Sequence, residues 1–286
     1  MDDKTTEFLR RIAEALERMA PRSRLGDPLP EGENCFLWQG HERRLAPIHS
    51  AALPLSLFCG VEEQKRRLRE NSEYFARGLA AHHVLLWGAR GSGKSSLVRA
   101  AHADVAGRHS ALNLVGISQE DLHGLPLLLN RLRDEPRRRF ILFCDDLSFL
   151  PGDDGYRALK IILDGGLGEV SENCLFYATS NRRHLLPREA SENERGTALR
   201  PEETVEDHVS LSDRFGLSLG FHPIDEDTYL AIVDAYLRHF GLVVDSPSIN
   251  DEAALYARER GGRSGRAAWQ FIRDYAARTH QSLKSP

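Results

Sequence analysis

The stretch Gly88-Ala89-Arg90-Gly91-Ser92-Gly93-Lys94-Ser95 constrains this chain more than any other. It fits the pattern G-x-x-x-x-G-K-[ST], and its flanks are the ones that pattern needs. The apolar run Val84-Leu85-Leu86-Trp87 precedes it as a buried strand would, and Ser95–Ala106 follows with helical composition. A strand that breaks into a glycine-rich turn and restarts as a helix can curl its backbone until successive N–H groups converge. They converge beside the positive end of the helix, so such a turn is shaped for phosphate oxygens. Lys94 would then reach the β- and γ-phosphates, and the Ser95 hydroxyl would ligate Mg²⁺. The expected binding residues are Gly88, Ala89, Arg90, Gly91, Ser92, Gly93, Lys94, Ser95 and Ser96, and the implied ligand is a nucleoside triphosphate with Mg²⁺.

The 286 residues leave room for one large domain or two smaller ones. A composition of 41% hydrophobic and 28% charged residues is that of a soluble globular protein. No apolar stretch is long enough to span a bilayer, and Met1-Asp2-Asp3-Lys4 opens no apolar signal core. The four cysteines, Cys35, Cys59, Cys144 and Cys174, form no C-x-x-C pair. That pattern points to a reducing, cytoplasmic setting without disulfides or zinc. A net charge of −4 makes no global electrostatic case for nucleic acid.

Along the chain, Thr6–Met19 puts Phe8, Leu9, Ile12, Leu16 and Met19 on one helical face. That stripe could pack on its own protein or dock on a partner. Pro21 to Pro30 breaks the pattern, and residues 31–59 show no clean period, so the region reads as a leader. A helical pattern returns from Val61 to Leu79. Strands are then expected at Val84–Trp87, Leu112–Ile117, Phe140–Cys144, Leu175–Ala178 and Leu217–Phe221, separated by helix-length segments. This alternation predicts a mostly parallel sheet covered on both faces. Arg188–Ser210, rich in Glu, Arg, Ser and Thr, reads as a loop. Asp227–Phe240, Asp251–Arg260 (with Asn250 as a cap) and Arg266–Arg278 read as helices of a small tail subdomain.

Phe140–Cys144 runs directly into Asp145-Asp146. A buried strand delivers such carboxylates to the C-terminal edge of the sheet, beside the phosphate loop. Asp145 would hold Mg²⁺, largely through water, and Asp146 would polarise the attacking water.

Taken in order, five segments resemble the AAA+ ATPases over roughly residues 55–280. They are Gly88–Ser95, Phe140–Asp146, Tyr177-Ala178-Thr179-Ser180-Asn181-Arg182, Ser212-Asp213-Arg214-Phe215-Gly216 and Gly261-Gly262-Arg263-Ser264-Gly265-Arg266. The phrases Leu85-Leu86-Trp87-Gly88-Ala89-Arg90-Gly91 and Phe143-Cys144-Asp145-Asp146-Leu147-Ser148-Phe149 are similar to the bacterial DUF815 group of AAA+ proteins. The resemblance implies an α/β P-loop fold whose five-stranded parallel sheet runs 5-1-4-3-2, with a C-terminal helical lid. The corresponding division is a leader at 1–54, a nucleotide-binding domain at 55–222 and a lid at 223–286.

By the same resemblance the nucleotide is ATP and Asn181 is the sensor that helps orient water or the γ-phosphate. Arg214 is an arginine finger acting on a neighbouring subunit's ATP, which implies a homo-oligomer. A guanidinium suits that task because it stays charged and can donate two parallel hydrogen bonds. Arg266 is the lid sensor, with Arg263 as its alternative. Phe58 and Val61 belong to the adenine-side element.

Two features depart from the pattern. Asp146 stands where most AAA+ proteins have glutamate, so hydrolysis is expected to be slow. The segment Ser118–Gly124 lacks the aromatic–apolar–Gly tripeptide of a protein-threading loop, which counts against an unfoldase. Three readings follow. One is an ATPase that assembles with copies of itself and remodels an unidentified partner; another is an ATP-switched protein of initiator or helicase-loader type that contacts nucleic acid or a protein. The third, a P-loop kinase, fits the tail and Arg214 least. The run Arg137-Arg138-Arg139, with Arg131 and Arg133, is a candidate nucleic-acid contact or a solvated face.

Overall fold

The computed structural model describes residues 28–149, 153–163, 172–183, 185 and 211–283. The helical segment Thr6–Met19 and the loop Arg188–Ser210 lie outside them. Among the described residues the strands are β1 (Cys35–Gln39), β2 (Arg44–Pro47), β3 (Val84–Gly88), β4 (Leu112–Ile117), β5 (Arg139–Cys144), β6 (Cys174–Ser180) and β7 (Leu217–Phe221). They form one sheet in the order β2-β1-β4-β5-β6-β3-β7, parallel throughout except where β2 turns back on β1.

The sheet therefore has seven strands rather than the expected five, and its full order differs accordingly. The series 5-1-4-3-2 occurs inside it as β7-β3-β6-β5-β4, and β1 and β2 extend the β4 edge. Residues 35–47, read as leader, are thus part of the sheet. Cys35-Phe36-Leu37-Trp38 is uniformly apolar and carries no alternation to mark it as strand. Its strand identity comes from the partner: Cys35, Phe36 and Leu37 pair with Leu114, Val115 and Gly116 of β4, almost eighty positions away.

Alternation along the strands splits the core into two layers. Val84 and Leu86 face one side of the sheet, and Leu85 faces the other. On the first side lie α1 (Glu62–Ala76) and α2 (Lys94–Ala106), which bury Leu68, Phe75, Leu97, Val98 and Val105. The second side carries α3 (Leu125–Arg133) and α4 (Asp154–Leu163), through Leu125, Leu128, Leu132 and Leu159. Both faces are covered, so the central strands are apolar at successive positions.

A third core belongs to the tail. Helices α5 (Glu226–Phe240), α6 (Ile249–Glu259) and α7 (Gly265–Arg278) bury Tyr229, Ile232, Val233, Phe271 and Tyr275, with Ala253, Ala257 and Ala268 between them. The alanines keep the helices close. Asp225 caps α5 by accepting from Thr228 N, and Gly241 ends it at φ 64°. Asn250 is not a cap: α6 starts one residue before it, after Ser248. Leu57 enters this third core from the short turn ahead of α1 and links the tail to the sheet. Among the described residues no helix is long and apolar enough to cross a membrane.

One glycine ties the sheet to the phosphate loop. Gly88 has φ 130°, and a Cβ there would lie 1.9 Å from the Phe221 carbonyl oxygen on β7. Ala89 N donates to that same oxygen at 3.1 Å. Gly88→Ala should therefore lower stability by about 3 kcal/mol or more, because strain and a backbone collision act together. Chemical denaturation of the variant checks this; an unchanged midpoint would mean the β3–β7 junction is looser than described.

Candidate functional site

The C-terminal ends of β3, β5 and β6 lie side by side, and there the chain delivers the glycine-rich loop, Asp145-Asp146 and Asn181 to one cavity of about 730 Å³. Its walls include Arg90 to Ser96 of the loop and helix start, Phe58 and Val61 ahead of α1, and Arg266 of α7. Gly88 and Ala89 stand behind the wall. Their carbonyls accept from Lys94 Nζ at 2.9 and 2.8 Å.

The loop's curl is visible in its backbone. Gly91 and Gly93 have φ of 72° and 91°, which an L side chain rarely adopts. A Cβ on Gly91 would press on Arg266 and Ser264, and one on Gly93 would fill space beside the Phe58 ring. The Ser92 hydroxyl is buried without a hydrogen-bond partner among the described residues. A shaped backbone cradle and an unpartnered polar atom fit a polar ligand at this place. Burial pulls the Lys94 ammonium below its ordinary range, while Asp146 and Asp145 pull it back up; Arg266 and Arg90 push it down.

The carboxylates are held differently. Asp145 Oδ1 accepts from the Ser95 hydroxyl and, at 2.5 Å, from the Thr179 hydroxyl. This set of hydroxyl and carboxylate oxygens suits Mg²⁺, which takes few protein ligands and keeps water and phosphate oxygens for the rest. Asp146 has φ 54°, a left-handed conformation that aspartate tolerates better than most residues. Its backbone N–H donates to Thr179 Oγ1 at 2.8 Å and its carboxylate accepts from the Asn181 amide. Thr179 thus orders both carboxylates. The motif reading passed over it, although it sits two residues before Asn181 at the end of the same strand.

Arg263 and Arg266 sit in different surroundings. Arg263 is ion-paired with Glu226 of α5, whereas Arg266 lines the cavity. Arg266 N also donates to Gly91 O at 3.1 Å, so the first turn of α7 rests on the phosphate loop. Ser264 caps that turn by accepting from Ala267 N. Ile232, Tyr236 and Trp269 of the tail and Arg99 of α2 complete the walls, and none was expected from the sequence. The Tyr236 and Trp269 rings pack edge to face at 5.8 Å. Arg214 is half-buried just ahead of β7 and is not among the described residues lining this cavity.

Three arginines of the basic run are engaged by the fold, while Arg133 and Arg137 are exposed. Arg138 donates to the carbonyls of Leu29, Pro30 and Glu33, Arg131 is buried against Glu135, and Arg139 lies over the Phe75 ring. Segment Ser118–Gly124 forms a short 3₁₀ turn. Its Gln119 amide accepts from Ser148 N at 3.2 Å and donates to Ser148 O at 2.5 Å. The loops after β4 and β5 are thereby joined.

The family described as Protein of unknown function (DUF815) matches residues 31–279. No curated protein sequence matches the chain. Among solved structures, it is similar to the Thermotoga maritima RuvB Holliday junction branch migration motor, with TM-score 0.54 and 19% identity over 81% of this chain and 68% of that one. It is also similar to Aeropyrum pernix Orc1 in complex with DNA, with TM-score 0.56 and 18% identity over 79% of this chain and 63% of that one. The likeness at this identity is one of fold, an α/β P-loop fold. The chain belongs to the family described as Protein of unknown function (DUF815).

Proposed function

We propose that this protein is an Mg²⁺-dependent ATPase that assembles with copies of itself and uses ATP turnover to remodel a partner. The observation that carries this reading is the convergence on one cavity of Lys94, the Ser95–Asp145 pair and the Asp146–Asn181 pair. Arg90, Lys94 and Arg266 on its walls outnumber the two carboxylates, Asp145 and Asp146, a balance that favours a polyanion.

In this reading the loop N–H groups and Lys94 bind the β- and γ-phosphates, and Phe58 and Val61 take the adenine side. Ser95 and Asp145 would hold Mg²⁺, which supplies charge neutralisation between the β- and γ-phosphates when bound. Asp146 accepts a proton from the attacking water, Asn181 positions it, and Arg266 reports the γ-phosphate to the lid. Residues 55–222, together with β1 and β2 of the same sheet, act as the nucleotide domain and 223–286 as the lid, with Arg266 and Gly91 in contact between them. Arg214 serves the neighbouring subunit.

A second reading, an ATP-switched initiator or loader that hydrolyses slowly, is favoured by one observation. The Asp146 carboxylate, already one methylene shorter than glutamate, is engaged by the Asn181 amide. RuvB is described as a branch migration motor and Orc1 is seen with DNA, so nucleic acid and protein are both candidate partner classes.

Binding is tested at Lys94. Lys94→Ala should weaken a fluorescent ATP analogue tenfold or more, as expected for loss of a charge-assisted hydrogen bond. Circular dichroism confirms that the variant is folded. Unchanged affinity in a folded variant would remove the nucleotide site from this loop.

A further inference from the structure

Arg99 is a cation of the cavity wall that no expected role absorbs. It lies three residues after Ser96 on α2, so the two share a stripe of the helix, and both line the cavity. It is five residues beyond Lys94, about 7.5 Å along the helix axis. A ligand whose terminal phosphate meets Lys94 and that extends along α2 would bring its α-phosphate or its sugar to this part of the helix.

Two further observations agree. Away from the loop and the carboxylates the walls are largely apolar, with Leu53, Ile232, Tyr236 and Trp269, which suit a base rather than an anion. Arg99 is half-buried yet makes no hydrogen bond or ion pair among the described residues. Arg263 and Arg138, by contrast, are committed to protein partners.

We propose that Arg99 is the residue that selects the nucleoside half of the ligand, its guanidinium donating hydrogen bonds to the ribose hydroxyl oxygens. Guanidinium offers donors only, hydroxyl oxygens accept, and the apolar walls are left for the base to stack upon. The proposal rests on the nucleotide-binding reading and adds a preference for ribonucleoside triphosphates over analogues without sugar hydroxyls.

The test is a titration of the full chain, Arg99→Ala and Arg99→Lys with ATP, 2′,3′-dideoxy-ATP and inorganic tripolyphosphate, each with Mg²⁺. Alanine favours helix on this wall, so Arg99→Ala should fold. The parent should prefer ATP to the dideoxy analogue about tenfold, as for one hydrogen bond to a charged donor. Arg99→Ala should lose that preference and bind tripolyphosphate as the parent does, and Arg99→Lys should keep part of it. An undiminished preference in Arg99→Ala overturns the proposal. So does an equal loss of ATP and tripolyphosphate affinity, which would make Arg99 a phosphate ligand. Should the folded parent bind none of the three, the nucleotide reading itself falls, a different failure from either.

Discussion

Arg214→Ala should bind ATP as the parent does and hydrolyse it on the order of 10³-fold more slowly, the scale lost with an arginine finger. The residue sits on the short segment ahead of β7, anchored by buried Leu211, Ser212 and Phe215, with the Phe215 ring 6.4 Å from that of Phe176. That anchoring fixes where the segment points, while Arg214 stays off the cavity of its own chain. Ground-state binding in cis is thereby spared, and only transition-state stabilisation is lost. Mixing Arg214→Ala with Lys94→Ala should recover part of the activity, because at a shared interface one variant supplies an intact binding site and the other an intact finger. A phosphate-release assay across mixing ratios measures this. A mixture that stays inactive, although mixed oligomers are shown to form, would reassign Arg214 to a role within its own subunit.

The second large effect concerns Asp146. Asp146→Asn should leave ATP affinity within about twofold and reduce hydrolysis by 10²-fold or more, the usual contribution of a positioned general base. The structure makes this a clean substitution. Asparagine tolerates the left-handed backbone at φ 54° as aspartate does, and the Thr179 hydroxyl still receives the backbone N–H. The side-chain oxygen that accepts from Asn181 also survives, so what disappears is the carboxylate charge. Parent-like turnover in Asp146→Asn would mean that another group activates the water, and the assignment of Asp146 would have to be abandoned.

The parts of this site that can be read along the chain are those whose chemistry is contiguous. Gly88–Ser95 declares itself because the backbone curl, the lysine and the hydroxyl all lie within eight residues. Asp145-Asp146 follows directly from an apolar strand, so its place at the sheet edge comes with it. Central strands buried on both faces are apolar runs, which is why β3 to β7 were legible to within a residue or two of their ends. Asn181 and Arg266 needed the family pattern, since neither carries a local signal.

Other features depend on pairs of residues far apart in sequence. β1 exists as a strand because β4 offers it an edge, and nothing within Cys35–Gln39 announces that partner. Arg263 and Arg266 are equivalent by spacing, and only the position of Glu226 on α5 separates them. The arginine run looks available to nucleic acid until Arg138 is seen folded onto the carbonyls of residues 29, 30 and 33. Thr179, Arg99, Tyr236 and Trp269 are unremarkable residues on four different elements until packing turns them toward one cavity. The sequence by itself determined the phosphate loop, the acidic strand end and the parallel α/β class, because short-range geometry and alternation encode them. Only the tertiary structure decided the seven-stranded sheet, the different surroundings of Arg263 and Arg266 and the walls of the cavity. Those follow from side chains brought together by packing between distant elements, and no local pattern records such a distance.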